Sequence, residues 1–248
     1  MAHYRGYAMK FSTPIYTLKR QARLLSRQEQ IPLHAALDRI AQGEGFQNWS
    51  LLASRFASRS PATRMLELIV PGELVLLGAR PGQGKTLTGV DIVAKSIQKG
   101  NHGWFFTLES NQEDIDELLG FLGEENISTN AQFHFDGSNF ISAAYIIDKL
   151  SNAAAGTVAV VDYLQLLDQK RNTPDLSKQV RDLKAFARKQ KVIILCVAQI
   201  DRSYEYADKP TPGFNDVRLP NPLDLSVFDK ACFLHSGNVT THKQVILN

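Results

Sequence analysis

Two patterns of hydrophobic residues divide this chain. Between residues 14 and 58, apolar residues recur every three or four positions among basic ones, which predicts three short helices, the second starting at Pro32 and the third at Asn48. From Pro71 onward, short apolar runs alternate with amphipathic stretches, which is typical of βαβ units and a parallel sheet. The pattern therefore predicts a small all-α module followed by an α/β domain.

The predicted elements of the α/β domain are short and regularly spaced. Its strands are expected at Leu74–Leu77, Trp104–Leu108, Phe133–Phe135, Val158–Val161 and Val192–Val197. Its helices are expected at Thr86–Lys99, Gln112–Leu122, Ile141–Ala154 and Leu176–Lys189. Late edge strands are expected at Ala231–Leu234 and Val245–Leu247, and a linker at Ser58–Thr63. The chain is thus divided into a module of residues 1–63 and a domain of residues 64–248.

Composition and charge change this picture in two respects. Residues 1–65 carry ten Lys and Arg against three Asp and Glu, so the module is basic. Such a module suits nucleic acid or a protein partner, although a solvated helical surface would look the same. No apolar run approaches the ~18 residues of a membrane span, so a cytoplasmic protein without membrane contact is expected. Cys196 and Cys232 lie in apolar runs and are expected to be buried, free thiols.

The segment Gly78-Ala-Arg-Pro-Gly-Gln-Gly-Lys-Thr86 matches the phosphate-loop pattern G-x-x-x-x-G-K-[ST]. It lies between a predicted strand and a predicted helix, where glycines let backbone N–H groups surround a phosphate and a helix N-terminus faces it. Lys85 is expected to contact the β- and γ-phosphates of ATP, and Thr86 to hold Mg²⁺. The residues predicted to contact the nucleotide are Gly78, Ala79, Arg80, Pro81, Gly82, Gln83, Gly84, Lys85, Thr86 and Leu87.

Three polar residues follow the other predicted strands. Asp162 ends an apolar run, where it could hold Mg²⁺ or merely cap a turn. Glu109 is the candidate base for the attacking water, although it could instead be a helix N-terminal acid, as could Glu113 and Asp114. Gln199 could bond both the γ-phosphate and the water. The predicted catalytic residues are Glu109, Lys85 and Gln199, and the predicted metal ligands are Thr86 and Asp162.

Together these motifs resemble the DnaB-like replicative helicase family. The most specific is Val161-Asp-Tyr-Leu-Gln-Leu166, which matches that family's Walker B strand and its continuation. The phosphate loop and Phe106-Thr-Leu-Glu109 are similar to the corresponding family motifs, and Ala198-Gln-Ile-Asp-Arg-Ser-Tyr-Glu205 resembles the family's sensor motif. The resemblance covers roughly residues 66–235.

The resemblance implies a RecA-type P-loop NTPase fold in which the Gln199 strand lies between the phosphate-loop strand and the Asp162 strand. It also implies Glu109 as general base, Asp162 on magnesium and Gln199 as sensor of the γ-phosphate. Members of the family form hexameric rings around single-stranded DNA, so a homo-oligomer with ATP between subunits is expected. The loops expected at the DNA, Asp168–Asp175 and Asp201–Arg218, could equally be plain solvated loops. Their candidate DNA-binding residues are Lys170, Arg171, Arg202, Lys209 and Arg218.

Two regions depart from the family pattern. Residues 1–65 do not resemble the larger helical N-terminal domain, so primase binding is not expected of them. The basic stretch that supplies an arginine finger has only Lys243 as a counterpart here, so slow ATP hydrolysis is expected. The predicted function is a Mg²⁺-dependent ATPase acting on DNA, either a helicase or a helicase-like accessory factor. The alternatives are a non-catalytic nucleotide switch that binds DNA or a partner, and a small-molecule P-loop kinase.

Overall fold

A computed structural model describes residues 15–57, 60–168, 174–207, 209–219 and 221–243. The chain separates into two compact units, Met1–Ser60 and Pro61–Asn248. The second half of the expected linker is helical instead, because Pro61 begins a helix that belongs to the larger unit. No helix within the described ranges is long and apolar enough to cross a membrane.

The smaller unit contains the three predicted helices. These are α1 (Ile15–Glu29), α2 (Leu33–Gly43) and α3 (Trp49–Ala57). Asn48 caps α3 as predicted, because its side-chain oxygen accepts a hydrogen bond from the Leu51 N–H at 2.9 Å. The core is small and centres on Leu18, Ala41 and Leu52.

The larger unit alternates strands and helices. Its helices are α4 (Pro61–Leu68), α5 (Lys85–Gln98), α6 (Gln112–Leu122), α7 (Ala143–Lys149) and α8 (Leu176–Gln190). Its strands are β1 (Leu74–Ala79), β2 (Gly103–Thr107), β3 (Phe133–Asp136), β4 (Val158–Asp162), β5 (Ile193–Gln199), β6 (Lys230–His235) and β7 (Asn238–Lys243).

All seven strands form one sheet in the order β3-β2-β4-β5-β1-β6-β7. Every pairing is parallel except that of β6 with β7. Alternate residues of β1 enter separate cores on the two faces, with Leu74 and Leu76 on one side and Val75 and Leu77 on the other. A sheet covered on both faces explains why its central strands are apolar throughout. The predicted α/β architecture is therefore confirmed.

Strands β1 and β5 each extend two residues beyond their predicted ends, and helix α7 differs more from its prediction. Helix α7 ends at Lys149, five residues before the prediction. The chain turns after Lys149, where the Ala153 N–H donates to the Leu150 carbonyl at 2.9 Å, and the Gln190 side chain donates hydrogen bonds to the carbonyl oxygens of Ser151 and Ala153 at 3.3 and 2.9 Å. The second edge strand is β7, while Val245–Leu247, where it was expected, lie outside the described residues, as does the side chain of Lys243.

Both cysteines are buried and free, as predicted. Burial raises the pKa of the Cys196 thiol to about 12 and also raises the pKa of Cys232. These thiols are therefore protonated and unreactive in the folded protein near neutral pH.

Candidate nucleotide-binding site

The carboxyl ends of four central strands meet at one edge of the sheet. Strand β5 lies between β1 and β4, as the family resemblance implied, and Gln199 stands opposite Ala79 in the register. On the other side, Asp162 at the end of β4 stands opposite Thr107 at the end of β2. Ligands of open α/β sheets bind at this edge. The predicted site residues are thus brought to adjacent strand ends.

The phosphate loop follows β1 and leads directly into α5. Gly82 and Gly84 have φ values of +76° and +80°, which glycine adopts without strain. A Cβ at either position would meet no atom within 4 Å, so the space above the loop is open. Helix α5 begins at Lys85, and the Thr88 N–H donates to the Gly84 carbonyl at 2.8 Å. An open cradle of backbone amides at a helix N-terminus fits an anion such as a phosphate.

Gly78, the first residue of the phosphate-loop motif, lies within β1 and is constrained in another way. A Cβ there would lie 2.7 Å from Cδ1 of Phe233 and 3.1 Å from Cδ1 of Ile200. Phe233 belongs to β6, and Ile200 follows β5. The absence of a side chain at Gly78 therefore allows Phe233 and Ile200 to pack directly against β1.

Asp162 is the most unusual group of the site. Its side chain is fully buried, and neither carboxylate oxygen has a well-placed hydrogen-bond partner among the described residues. Burial raises the pKa of Asp162, the nearby Thr86 hydroxyl and Lys85 ammonium lower it, and the negative charge of Glu109 raises it. Thr86 and Lys85 are therefore close enough to the Asp162 carboxylate to stabilise its charge, and Glu109 is close enough to oppose it.

A buried carboxylate without a partner beside a hydroxyl is suited to a divalent cation. Mg²⁺ prefers oxygen ligands and commonly uses one or two protein groups together with waters and substrate phosphates. Among the described residues, no cluster of three or more His, Cys, Asp or Glu side chains could hold a metal by itself. The residues present therefore fit a magnesium ion whose other ligands come from nucleotide and water.

Glu109 lies two residues beyond β2, with its side chain exposed. The Glu109 N–H donates to the Thr107 hydroxyl at 3.0 Å, so Thr107 shapes the turn that presents Glu109. Thr107 was not predicted as a site residue, although a hydroxyl two positions before the acid is the sequence signal for such a turn. Of the rival acids, Asp114 is engaged in a capping box with Asn111 at the start of α6, and Glu113 is exposed in its first turn.

Two side chains of the phosphate loop point to protein groups. The Arg80 guanidinium donates from Nε to Glu205 Oε1 at 2.9 Å and from Nη1 to the Ile200 carbonyl at 3.0 Å, and Nη2 also contacts Glu205. Gln83 Oε1 accepts a hydrogen bond from the Ser236 N–H at 2.9 Å. Both residues were predicted to contact the nucleotide. Because their side chains contact protein groups, such a contact would use their backbone.

The candidate DNA-binding residues occupy different environments. Lys170 and Arg171 lie outside the described residues. Arg202 and Arg218 are exposed, whereas the Lys209 ammonium is paired with Asp216 at 3.0 Å. The Gln165 side chain, after β4, donates to the Arg218 carbonyl at 2.9 Å, and the Arg218 N–H donates to the Gln199 carbonyl at 2.7 Å. The segments after β4 and β5 are thus directly joined.

The mainly parallel sheet and its strand order define a RecA-type domain, and solved structures share this fold. One, described as a DnaB-like replicative helicase and its interactions with primase, has a TM-score of 0.59, is 18% identical and covers 91% of this chain and 74% of its own. Another, described as an ATPase domain, has a TM-score of 0.55, is 19% identical and covers 72% of this chain and 83% of its own. At such low identity these likenesses establish the fold alone.

Sequence comparison places the C-terminal region more narrowly. Residues 123–243 match the family model for the DnaB-like helicase C terminal domain. The replicative DNA helicase DnaB of Helicobacter pylori (strain J99) is 25% identical over 199 residues, which is 68% of this chain and 41% of that protein. The DnaB of Geobacillus stearothermophilus is 26% identical over 204 residues, 69% of this chain and 45% of that protein. The resemblance to DnaB-like helicases is therefore confirmed for this region, and the chain spans less than half the length of these relatives.

Proposed function

We propose that the larger unit binds ATP with Mg²⁺, hydrolyses it, and acts on single-stranded DNA as a helicase or helicase-like accessory factor. The observation that carries this proposal is Asp162, which is fully buried, lacks a well-placed hydrogen-bond partner among the described residues and lies beside the phosphate loop. Burial raises the pKa of Asp162 in spite of the nearby Thr86 and Lys85, so a purely structural carboxylate there would destabilise the domain.

The roles follow from the positions of the side chains. Backbone amides of the phosphate loop surround the β-phosphate, and the Lys85 ammonium neutralises charge on the β- and γ-phosphates. Thr86 and Asp162 would hold the magnesium ion, which would offset the charge of the phosphates. Glu109 orients the attacking water and accepts its proton, because its exposed carboxylate stands beyond the end of β2 beside the end of β4. Gln199 reports the γ-phosphate from the neighbouring strand end.

Action on DNA is proposed for the edge that carries these groups. The segments after β4 and β5 are joined by Gln165 and Arg218, and Arg202 and Arg218 present exposed cations. Exposed guanidinium groups suit the phosphates of a nucleic-acid strand. The relatives are named replicative DNA helicases. By analogy we propose a ring-shaped homo-oligomer, with the basic N-terminal module as a further contact for nucleic acid or a protein partner.

The central test is the substitution Glu109→Gln in the whole chain. Turnover of ATP should fall by roughly 10²–10⁴-fold, the usual contribution of a general base, while the affinity for ATP is retained. Lys85→Ala supplies the reference without ATP binding, and Glu113→Gln supplies a matched exposed acid that should leave turnover unchanged. Turnover is measured with and without single-stranded DNA, alongside the solution mass.

The outcome separates hydrolysis from a nucleotide switch. Measurable turnover that is equal in wild type and Glu109→Gln would remove Glu109 from the chemistry. ATP binding without turnover in wild type would instead favour a non-catalytic switch. Turnover that falls equally in Glu113→Gln would show a general effect of charge near α6.

A further inference from the structure

Arg80 lies in the phosphate loop, yet its side chain belongs to a contact with another segment. We call residues 200–207, which follow β5, the sensor segment. All three guanidinium nitrogens of Arg80 engage it, through the carboxylate of Glu205 and the carbonyl of Ile200. The Arg80 side chain is only 14% exposed, whereas Glu205 is half exposed. A planar guanidinium held at all three nitrogens fixes its partner in both distance and orientation.

A second pair of contacts runs through the hairpin formed by β6 and β7. The N–H of Ser236, which lies in the turn of this hairpin, donates a hydrogen bond to Oε1 of Gln83 in the phosphate loop at 2.9 Å. His235 in the same hairpin packs edge-to-face against Tyr204 of the sensor segment, with ring centroids 5.7 Å apart. Tyr204 is buried at 5% exposure. The phosphate loop, the sensor segment and the hairpin therefore contact one another in a closed set.

The position of Arg80 in this set gives its charge two competing demands. Its backbone belongs to the loop proposed to surround phosphate, so a bound triphosphate would add negative charge to the same loop that carries the guanidinium. Glu205 holds the same guanidinium from the side of the sensor segment. A ligand can shift a segment only if it interacts differently with two arrangements of that segment. The Arg80 guanidinium could supply this difference, because Glu205 and a bound phosphate would both attract it.

We propose that Arg80 is a positioning residue that couples nucleotide occupancy of the phosphate loop to the conformation of the sensor segment, acting through Glu205. This inference rests on the proposed function, because it requires nucleotide to bind the phosphate loop. It extends that function by a contact that does not use the Gln199 side chain. The sensor segment carries Arg202, so the coupling reaches a side chain proposed to contact DNA, and the linkage acts equally in both directions.

The test uses backbone hydrogen exchange in the full chain, with and without Mg²⁺ and a slowly hydrolysed ATP analogue. Several sensor-segment amides are hydrogen-bonded and report its opening. They are Asp201 to the Asp216 carbonyl at 2.7 Å, Ser203 to the Asp201 carboxylate at 2.9 Å, and Ala207 to the Tyr204 carbonyl at 3.1 Å. In wild type, the analogue should change their exchange rates by roughly fivefold or more, the lower end of usual allosteric coupling.

The variants are Glu205→Gln and Glu205→Lys, which remove or reverse the charge that faces Arg80. Both should retain affinity for the analogue, because Glu205 is half exposed and lies outside the phosphate loop. Both should lose the nucleotide-dependent change in exchange. The matched control is Glu124→Gln, whose carboxylate accepts a hydrogen bond from Gln98 at the far end of α5, at 2.6 Å. This control should keep the wild-type response.

Each result decides the matter. A nucleotide-dependent change that persists in both Glu205 variants overturns the role of Arg80, as does its absence from wild type when the analogue binds, and either result leaves the proposed function intact. If the analogue does not bind wild type at all, the proposed function fails and this inference fails with it.

Discussion

Replacing Asp162 with Asn should stabilise the protein in the absence of ligands. The side chain is fully buried, and neither oxygen has a hydrogen-bond partner among the described residues. A neutral buried group without partners costs about 1–3 kcal/mol, and a charged one costs more. The Thr86 hydroxyl and the Lys85 ammonium recover part of the larger cost by lowering the pKa of Asp162. The amide keeps the volume and removes the charge, so the net gain should be about 1–3 kcal/mol, or roughly 2–4 °C in Tm per kcal/mol for a domain of this size.

The gain should depend on pH in a defined sense. Burial raises the pKa of Asp162 above its unfolded value of 3.8, so the unfolded carboxyl ionises first as pH rises. Wild-type stability therefore falls between the unfolded pKa and the raised folded pKa, and is level above it. The advantage of the Asp162→Asn variant is consequently absent at low pH, grows as pH rises through that window and is complete above the folded pKa.

The assay is urea unfolding without nucleotide and with a metal chelator, repeated across the pH range in which the fold persists. Asp91→Asn is the contrasting control, because Asp91 is also buried but pairs with Lys95 at 3.3 Å, and losing that pair should reduce stability. Adding Mg²⁺ and ATP should then stabilise wild type more than Asp162→Asn, which lacks one metal ligand. At a ligand concentration about a hundredfold above the wild-type Kd, wild type gains about 2.7 kcal/mol and the variant gains less. If ligand-free Asp162→Asn unfolds at lower urea than wild type, the carboxylate already has stabilising partners and the reasoning is refuted.

Two further predictions concern packing and charge. Gly103→Ala should lower the free energy of unfolding by about 1–3 kcal/mol, because the added Cβ would lie 2.5 Å from Cγ1 of Val93. In urea unfolding, the further substitution Val93→Ala should recover part of this loss. An unchanged stability in the Gly103→Ala variant would contradict this packing. Replacing the exposed Arg23 and Arg27 of α1 with Gln should weaken binding of the whole chain to single-stranded DNA and should lower the slope of log affinity against log salt by about 0.7 for each phosphate that the protein no longer neutralises. An unchanged slope would mean that this face of α1 does not bind phosphate.

Local patterns predicted most of the fold for a physical reason. Strands buried on both faces must be apolar at every position, so β1, β4 and β5 are visible as continuous runs. The phosphate loop is equally visible, since few residue types satisfy its backbone geometry. The position of β5 between β1 and β4 cannot be predicted from local patterns. It was implied by the family resemblance, because strand order depends on contacts between distant parts of the chain.

What the sequence did not show depends on such distant contacts. Arg80 and Glu205 are separated by 125 positions, and no local rule relates them. The segment after α7 is held by Gln190, which lies on another helix and donates to the carbonyl groups of Ser151 and Ala153. Strand β7 had a local signal in the turn Ser236–Gly237, where both residues have positive φ, but its polar residues resemble a loop. The roles of Glu109 and Asp162 are predictions that Glu109→Gln and Asp162→Asn test, and the role of Gln199 stays a prediction.

The three glycines of the phosphate-loop motif are required for two different physical reasons. Gly82 and Gly84 are set by backbone dihedral angles that other residues adopt only at a cost, with free space where a side chain would be. Gly78 is set by the ring of Phe233 and would be needed even if the protein never met a phosphate. A larger residue at position 78 should therefore impair folding, whereas one at 82 or 84 should give a folded protein that fails to hold nucleotide. A single motif would then yield two distinct classes of loss-of-function variant.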